Sequence, residues 1–220
     1  MRAIEDIVAL VKHKGDLSAF SRAETLKEAM DLIGGFGRLR SPFIVKVNLC
    51  THPLWDITRF GTTSPKMCEA LVSLALKEDK DLSIKIVESD SNDKFMDEAT
   101  FKKYGYKDLE ERFGELGFNV SLVNLSQPPL VKVRFDGLYF KELELHKMLT
   151  ERGYFVSMAM AKTHFTVVSG VIKNLFGLLP RKGKGFYHPR DGSIDFNDVL
   201  TDLNRFANPR PLHHRCDSRT

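Results

Sequence analysis

Cysteine is scarce in this chain: Cys50, Cys68 and Cys216 are the only three in 220 residues. They lie too far apart to form a CxxC-type cluster, which argues against an iron–sulfur or structural zinc site built from this chain's own cysteines. An isolated cysteine in such a domain ordinarily behaves as a small buried hydrophobe. Long apolar runs are lacking too. Stretches such as Tyr154–Ala161 stop well short of the roughly 18 residues that a membrane helix requires. The opening MRAIEDIVAL carries two acids where a secretory leader is basic. No membrane partner and a cytoplasmic setting are therefore expected. Charge of one sign is not in large excess either, with 33 Lys and Arg against 29 Asp and Glu. Part of the positive charge clusters, at PRKGK (180–184) and at Arg205, Arg210 and Arg215. A short basic loop is usually a solvated turn. No RNP-type or helix-turn-helix pattern accompanies it, so a nucleic-acid partner is not expected. Internal repeats and low-complexity tracts are absent.

What is present is an ordinary globular mixture, 42% hydrophobic and 28% charged, long enough for one large α/β domain. Strand-like and helix-like patterns alternate along it. Ile7–Lys12 reads as a strand or as part of a helix from Ile4. Ser21–Ile33 has apolar residues at helical spacing and is stopped by Gly34-Gly35. Pro42–Leu49 is a β-branched strand. A helix begins at Ser64-Pro65, with Ser as N-cap, Pro at its first position and an inner stripe of Met67, Leu71, Leu74 and Ala75. Leu82–Val87 is a strand, Lys107–Leu116 a helix ended by Gly117, and Phe118–Leu125 a strand. Pro128-Pro129 forces a break before Leu130–Phe135. Leu143–Arg152 reads as a helix, Tyr154–Ala161 as a buried strand and Thr166–Gly177 as a helix. Arg181–Ser193, rich in Gly, Pro and charge, reads as a mobile loop.

This order predicts an α/β fold, a mostly parallel sheet with helices on both faces, in a single domain over residues 1–209. Ligands of such sheets gather at the carboxyl ends of the strands. That places interest on Lys46–Cys50, Glu88–Asp90, Lys162–His164 and the loop after Leu125. Lys46 and Asn48, two apart on a strand, share one face. A buried Lys46 would need an anion, which Glu88 or Asp90 can supply. Thr62, Thr63 and Ser64 offer hydroxyls at a helix start, although hydroxyl N-caps are common. Lys162, Thr163 and His164 follow an apolar strand directly. Thr163 or Thr166 is placed to cap the next helix, leaving N–H groups toward a phosphate or carboxylate. His164 is a general base, a metal ligand or a simple hydrogen-bond donor. Glu88, Asp90 and His164 together would offer metal-ligating atoms, yet no spacing demands a metal. The outer face of the helix expected at 166–177 carries Thr166, Ser169, Gly170, Lys173, Asn174 and Gly177. These are small and hydroxylated where a solvated face favours longer residues. This face is expected to bind an anion, with Lys173 as its charge; helix packing with one exposed lysine is the alternative. His188, in FYHP, sits where a loop over the strand ends would act as a lid.

The motifs KVNLC (46–50), TTSP (62–65) and AKTHFTVVSGVIKNLFGLLP (161–180), followed by Tyr187-His188, resemble the signature of the uncharacterised family called domain of unknown function 362, over roughly residues 40–205. The resemblance implies an enzyme or a redox accessory protein with no agreed reaction, and no cofactor is named by the residues. Many members carry appended ferredoxin-like cysteine clusters, which this chain lacks. Two functions are thus expected to compete. One is an enzyme acting on a small anionic ligand, with Lys162 and Lys173 fixing charge and His164 moving a proton. The other is a binding or iron–sulfur-associated redox accessory module whose cluster comes from a redox partner.

Residues 210–220, RPLHHRCDSRT, break from the α/β pattern. Codons for Arg-Pro-Leu-His-His-Arg-Cys-Asp, read one base later, permit Asp-Leu-Cys-Ile-Ile-Asp-Ala-Ile. That is a buried strand of the kind the alternation requires next, and it resembles how the family continues. The expectation is a C-terminally incomplete domain with a non-native tail; an ordinary disordered terminus is the alternative.

Overall fold

The computed structural model describes residues 9–14, 19–49, 61–91, 94–164, 167–182, 184–187 and 193–207, with the backbone alone at 19–21, 163–164 and 167–169. The expectations for residues 1–8 and 208–220, Cys50, Thr166 and His188 fall outside that set.

A four-stranded, wholly parallel sheet organises the chain, in the order β3-β2-β1-β6. Its strands are β1 (Phe43–Lys46), β2 (Ile84–Glu88), β3 (Val120–Asn124) and β6 (Tyr154–Ser157). β1 is buried at every position because both faces of the sheet are covered, hence its unbroken apolar run FIV. On one face lie α1 (Ala19–Leu32), α2 (Pro65–Glu78), α3 (Glu98–Lys103) and α4 (Tyr106–Glu115). The core there joins Phe43, Val45 and Ile86 to Leu71, Phe101, Leu109 and Phe113. α1 ends where Gly34 and Gly35 take positive φ, 88° and 78°, as their sequence position requires. α2 has Pro65 at its start and an extended Ser64 as N-cap, although the Ser64 side chain makes no capping hydrogen bond.

The opposite face is mixed. It is covered by an antiparallel pair, β4 (Leu130–Arg134) with β5 (Glu142–His146), by 3₁₀ turns at Lys147–Thr150 and Leu175–Leu178, and by α6 (Phe196–Ala207). Ile44 and Val87 of the sheet meet Leu143, Leu145, Leu178, Val199 and Leu203 there. The helix expected over 143–152 is therefore corrected. Leu143 and Leu145 point inward while Glu142 and Glu144 alternate outward, a period of two that pairing with β4 fixes.

The helix expected over 166–177 is corrected too. The backbone forms a hairpin, β7 (Lys162–His164) with β8 (Val167–Ser169), and only then a single turn, α5 (Val171–Asn174). β-branched residues in this run favour extended backbone. The facing is also reversed: Val171 and Ile172 are 50% and 55% exposed, whereas Asn174 is buried. The loop expected to be mobile is anchored in its described part, with Lys184 buried and Tyr187 packed edge-on against Tyr139 and Phe140.

His146 closes β5, and its Nδ1 accepts a hydrogen bond from the Met148 amide. Burial holds its pKa below the ordinary 6.5. A folded-state value below the unfolded one means that this contribution is fully present above pH 6.5 and is lost as pH falls below it. The urea midpoint of the wild type should thus drop between pH 7.5 and 5 by more than that of His146→Asn, whose amide oxygen can still accept from Met148; parallel drops would refute this.

Candidate functional site

The carboxyl ends of the parallel strands carry most of the buried polar groups. Lys46, the last residue of β1, is only 1% exposed. Its ammonium donates to Glu88 Oε1 at 2.6 Å, to Asn174 Oδ1 at 3.1 Å and to the Val47 carbonyl at 2.5 Å. All three ammonium protons are committed in this way. Glu88, at the end of β2, also accepts the Leu49 and Ser89 amides. Asn174 donates to the carbonyls of Lys46 and Met158 and to Ser157 Oγ. Gly177 closes over this group: a Cβ there would sit 2.5 Å from Lys46 Nζ and 2.9 Å from Glu88 Oε1. Asn174 and Gly177, expected on an outer helix face, are inner parts of a satisfied ionic network. The expectation that Glu88 would neutralise Lys46 holds.

β1 lies between β2, reached through α2, and β6, which returns on its other side, so the strand order reverses there. In open parallel sheets a ligand crevice forms at such a reversal. Asn48 sits at this point. Its amide N–H donates to Thr63 Oγ1, and its carbonyl accepts from the Thr63 amide. Val47 and Leu49 turn into the helical face, so Asn48 lies with Lys46 on the other. The side-chain Oδ1 of Asn48 is buried and has no hydrogen-bond partner among the described residues. A buried carbonyl oxygen without a donor is uncommon in a folded protein. Thr62 and Thr63 are buried, and Thr63 Oγ1 reaches the Met158 carbonyl of the β6 end. Tyr106 of α4 fixes the turn by donating to the Thr63 carbonyl, and burial pushes its phenol well above the ordinary range.

Basic side chains border these strand ends. Lys162 donates to the Gly61 carbonyl, Lys94 to the Leu49 carbonyl, and Lys184 to Ser89 Oγ and the Asp90 carbonyl. Beyond β2 and β3 an open groove of about 440 Å³ is lined by Asp90, Phe95, Ser126, Glu144, Arg181 and Lys182, among others. Lys173 reaches in another direction, its ammonium 5.8 Å from the Phe196 ring of α6. Thr163, His164 and Ser169 are placed by backbone alone, on the β7–β8 hairpin and not at the end of a sheet strand. Lys162, Thr62, Thr63, Asn48, Lys46 and Asn174 are thus gathered around the β1 and β6 ends. Glu88, Lys94, Asp90, Arg181 and Lys184 complete the surroundings. Lys94 was not singled out from the sequence, and Arg181 and Lys184 fall in the basic run 180–184 that reads there as a solvated turn; only the fold brings these segments together. Among the described residues, no group of three or more His, Cys, Asp or Glu is placed to hold a metal ion, and no helix is long and apolar enough to cross a membrane.

Neither a curated protein nor a solved structure matches this chain. One family model does, over residues 44–213, which takes in the parallel sheet except for Phe43 at the start of β1, together with the Asn48 and Asp90 surroundings. The chain belongs to the family described as Domain of unknown function (DUF362).

Proposed function

We propose that this protein is an enzyme that binds a small anionic ligand, bearing phosphate or carboxylate, at the carboxyl ends of its parallel strands. The observation that carries this reading is the set of basic side chains brought there by separate segments: Lys94, Lys162, Arg181, Lys182 and Lys184. Surrounding low-dielectric protein strengthens attraction between such groups and an anion. Asn48 adds an unsatisfied acceptor at the point where the strand order reverses, suited to a ligand O–H or N–H. Thr62 and Thr63 add hydroxyl-bearing backbone at the start of α2, and Lys46 with Asn174 acts one layer below by holding Glu88 in place. In this reading Lys162 balances ligand charge at the β1 and β6 ends, Lys173 lies off toward Phe196 of α6, and His164 holds or moves a proton. Thr163, Thr166, Ser169 and His188 belong to the segments that border the ligand. The redox-accessory alternative gains no support from the described residues. Cys68, buried in the helical core where burial pushes its thiol up, is not placed as a cluster ligand of this chain's own, so that alternative rests on a partner's cluster.

Native mass spectrometry of freshly purified protein should find a retained anionic compound of low mass. Lys162→Met and Lys94→Met are each expected to weaken phosphate binding about tenfold or more. Both lysines are half-buried and each donates to a backbone carbonyl, so about 1–3 kcal/mol of stability is lost while the fold, read by circular dichroism, is kept. Phosphate affinity unchanged in both variants would sink the anion role.

A further inference from the structure

Asp90 follows β2 by two residues and is 3% exposed. Its Oδ1 accepts from the Met96 amide at 2.7 Å and from Asn124 Nδ2 at 2.8 Å. Its Oδ2 takes no hydrogen bond or ion pair from a described residue. Among the described residues the buried oxygen without a donor is Asn48 Oδ1, so Asp90 Oδ2 keeps contact with solvent, where a ligand hydroxyl can replace water. Asp90 also lines the open groove, which gives that oxygen an outlet to a ligand.

The rest of the lining narrows what the ligand is. Phe95 is 54% exposed, and the Arg181 guanidinium lies 4.2 Å from its ring centroid. An exposed ring with a guanidinium over it is a stacking platform, and guanidinium N–H groups can donate edgewise while the plane stacks. Lys182 adds a second cation, and Glu144 of β5 a second carboxylate. A divalent cation would suit the acids but meet Arg181 and Lys182. Inorganic phosphate would suit the cations but meet two carboxylates. A ligand with hydroxyl donors, a planar ring and an anionic group matches every wall.

The geometry points to a nucleoside phosphate as the ligand of this groove, with ribose hydroxyls on Asp90 Oδ2, the base stacked at Phe95 and Arg181, and phosphate oxygens on Arg181 and Lys182. This rests on the reading that the strand ends bind an anionic ligand, and it names that ligand's class. The volume suits it, since ligand pockets run from about 300 to 1,000 Å³.

Titration calorimetry on the whole protein tests the assignment with ADP, GDP, CDP and UDP, the 2′,3′-dideoxy form of the best binder, and inorganic pyrophosphate. At least one diphosphate should bind, and its dideoxy form at least tenfold more weakly, because a site built for a hydroxyl rejects the analogue lacking it. Asp90→Asn should remove most of that difference, an effect that loss of a merely structural carboxylate would not produce. Phe95→Ala, at an exposed position, should weaken the nucleotide about tenfold and leave pyrophosphate unchanged. Pyrophosphate binding as tightly as every nucleotide would overturn the nucleoside assignment and leave the anion reading standing. No binding of any nucleotide would overturn it as well, and the phosphate affinities of the Lys162 and Lys94 variants then decide the anion reading separately.

Discussion

Lys46→Met is expected to cost about 3–5 kcal/mol of folding stability, the range found when one partner of a buried ion pair is removed. Glu88 would remain buried at 3% exposure, still accepting two amides but without a countercharge. Asn174 Oδ1 would lose its donor as well. Domains of this kind are commonly stable by only about 5–15 kcal/mol, so the loss is a large part of the total. The double variant Lys46→Met/Glu88→Gln should recover part of it, because no charge is then stranded and the new amide oxygen still accepts a backbone amide. Urea unfolding of the three proteins measures this. A single-variant loss below about 1 kcal/mol would show that water reaches Glu88 and that the pair is not the anchor of the strand ends.

The need for that pair was legible in the sequence, since a lysine on a buried strand face must find an anion; it left Glu88 and Asp90 open, and the pairing of β1 with β2 selects Glu88. The parallel sheet was legible too, because β1, β2 and β3 are marked by apolar β-branched runs and bounded by helix stops such as Gly117. Leu143–Arg152 misled because Glu, Leu, Lys and Met are good helix formers, and only the partner strand β4 selects extended backbone for Glu142–His146. At 166–177 the spacing of apolar residues fitted a helix, yet the β-branched run turns the chain into a hairpin first. The reversed facing of Asn174 and Val171 follows from that shift. α6 was missed although Val199 and Leu203 are four apart, because the Gly-rich stretch before it drew the reading toward a loop. The groove was legible only in pieces, at Glu88–Asp90, the loop after Leu125 and the basic run PRKGK. Asp90, Phe95, Glu144 and Arg181 come from four segments, and no local pattern in any of them announces the other three.

Asp202→Ala should be the second severe lesion, at about 2–4 kcal/mol. Asp202 lies on α6 with 0% exposure, and its carboxylate accepts the amides of Leu138, Tyr139 and Phe140 at 2.8 to 2.9 Å. Gly137 precedes them because a Cβ there would run into the same carboxylate. Each buried amide left without an acceptor costs about 1–3 kcal/mol, and partial relaxation of the loop toward water keeps the total below the simple sum. Asp202→Asn should fall between the wild type and the alanine variant, since its NH₂ must face one of the three donors. The effect should also reach the strand ends. Tyr139 and Phe140, held by Asp202, pack against Tyr187, and three residues before it Lys184 donates to Ser89 and Asp90 beside the groove. Hydrogen exchange on Asp202→Ala should therefore show faster exchange over 184–187 as well as 137–140, while amides of β2 remain protected. Faster exchange confined to 137–140 would show that α6 holds the loop without supporting the groove.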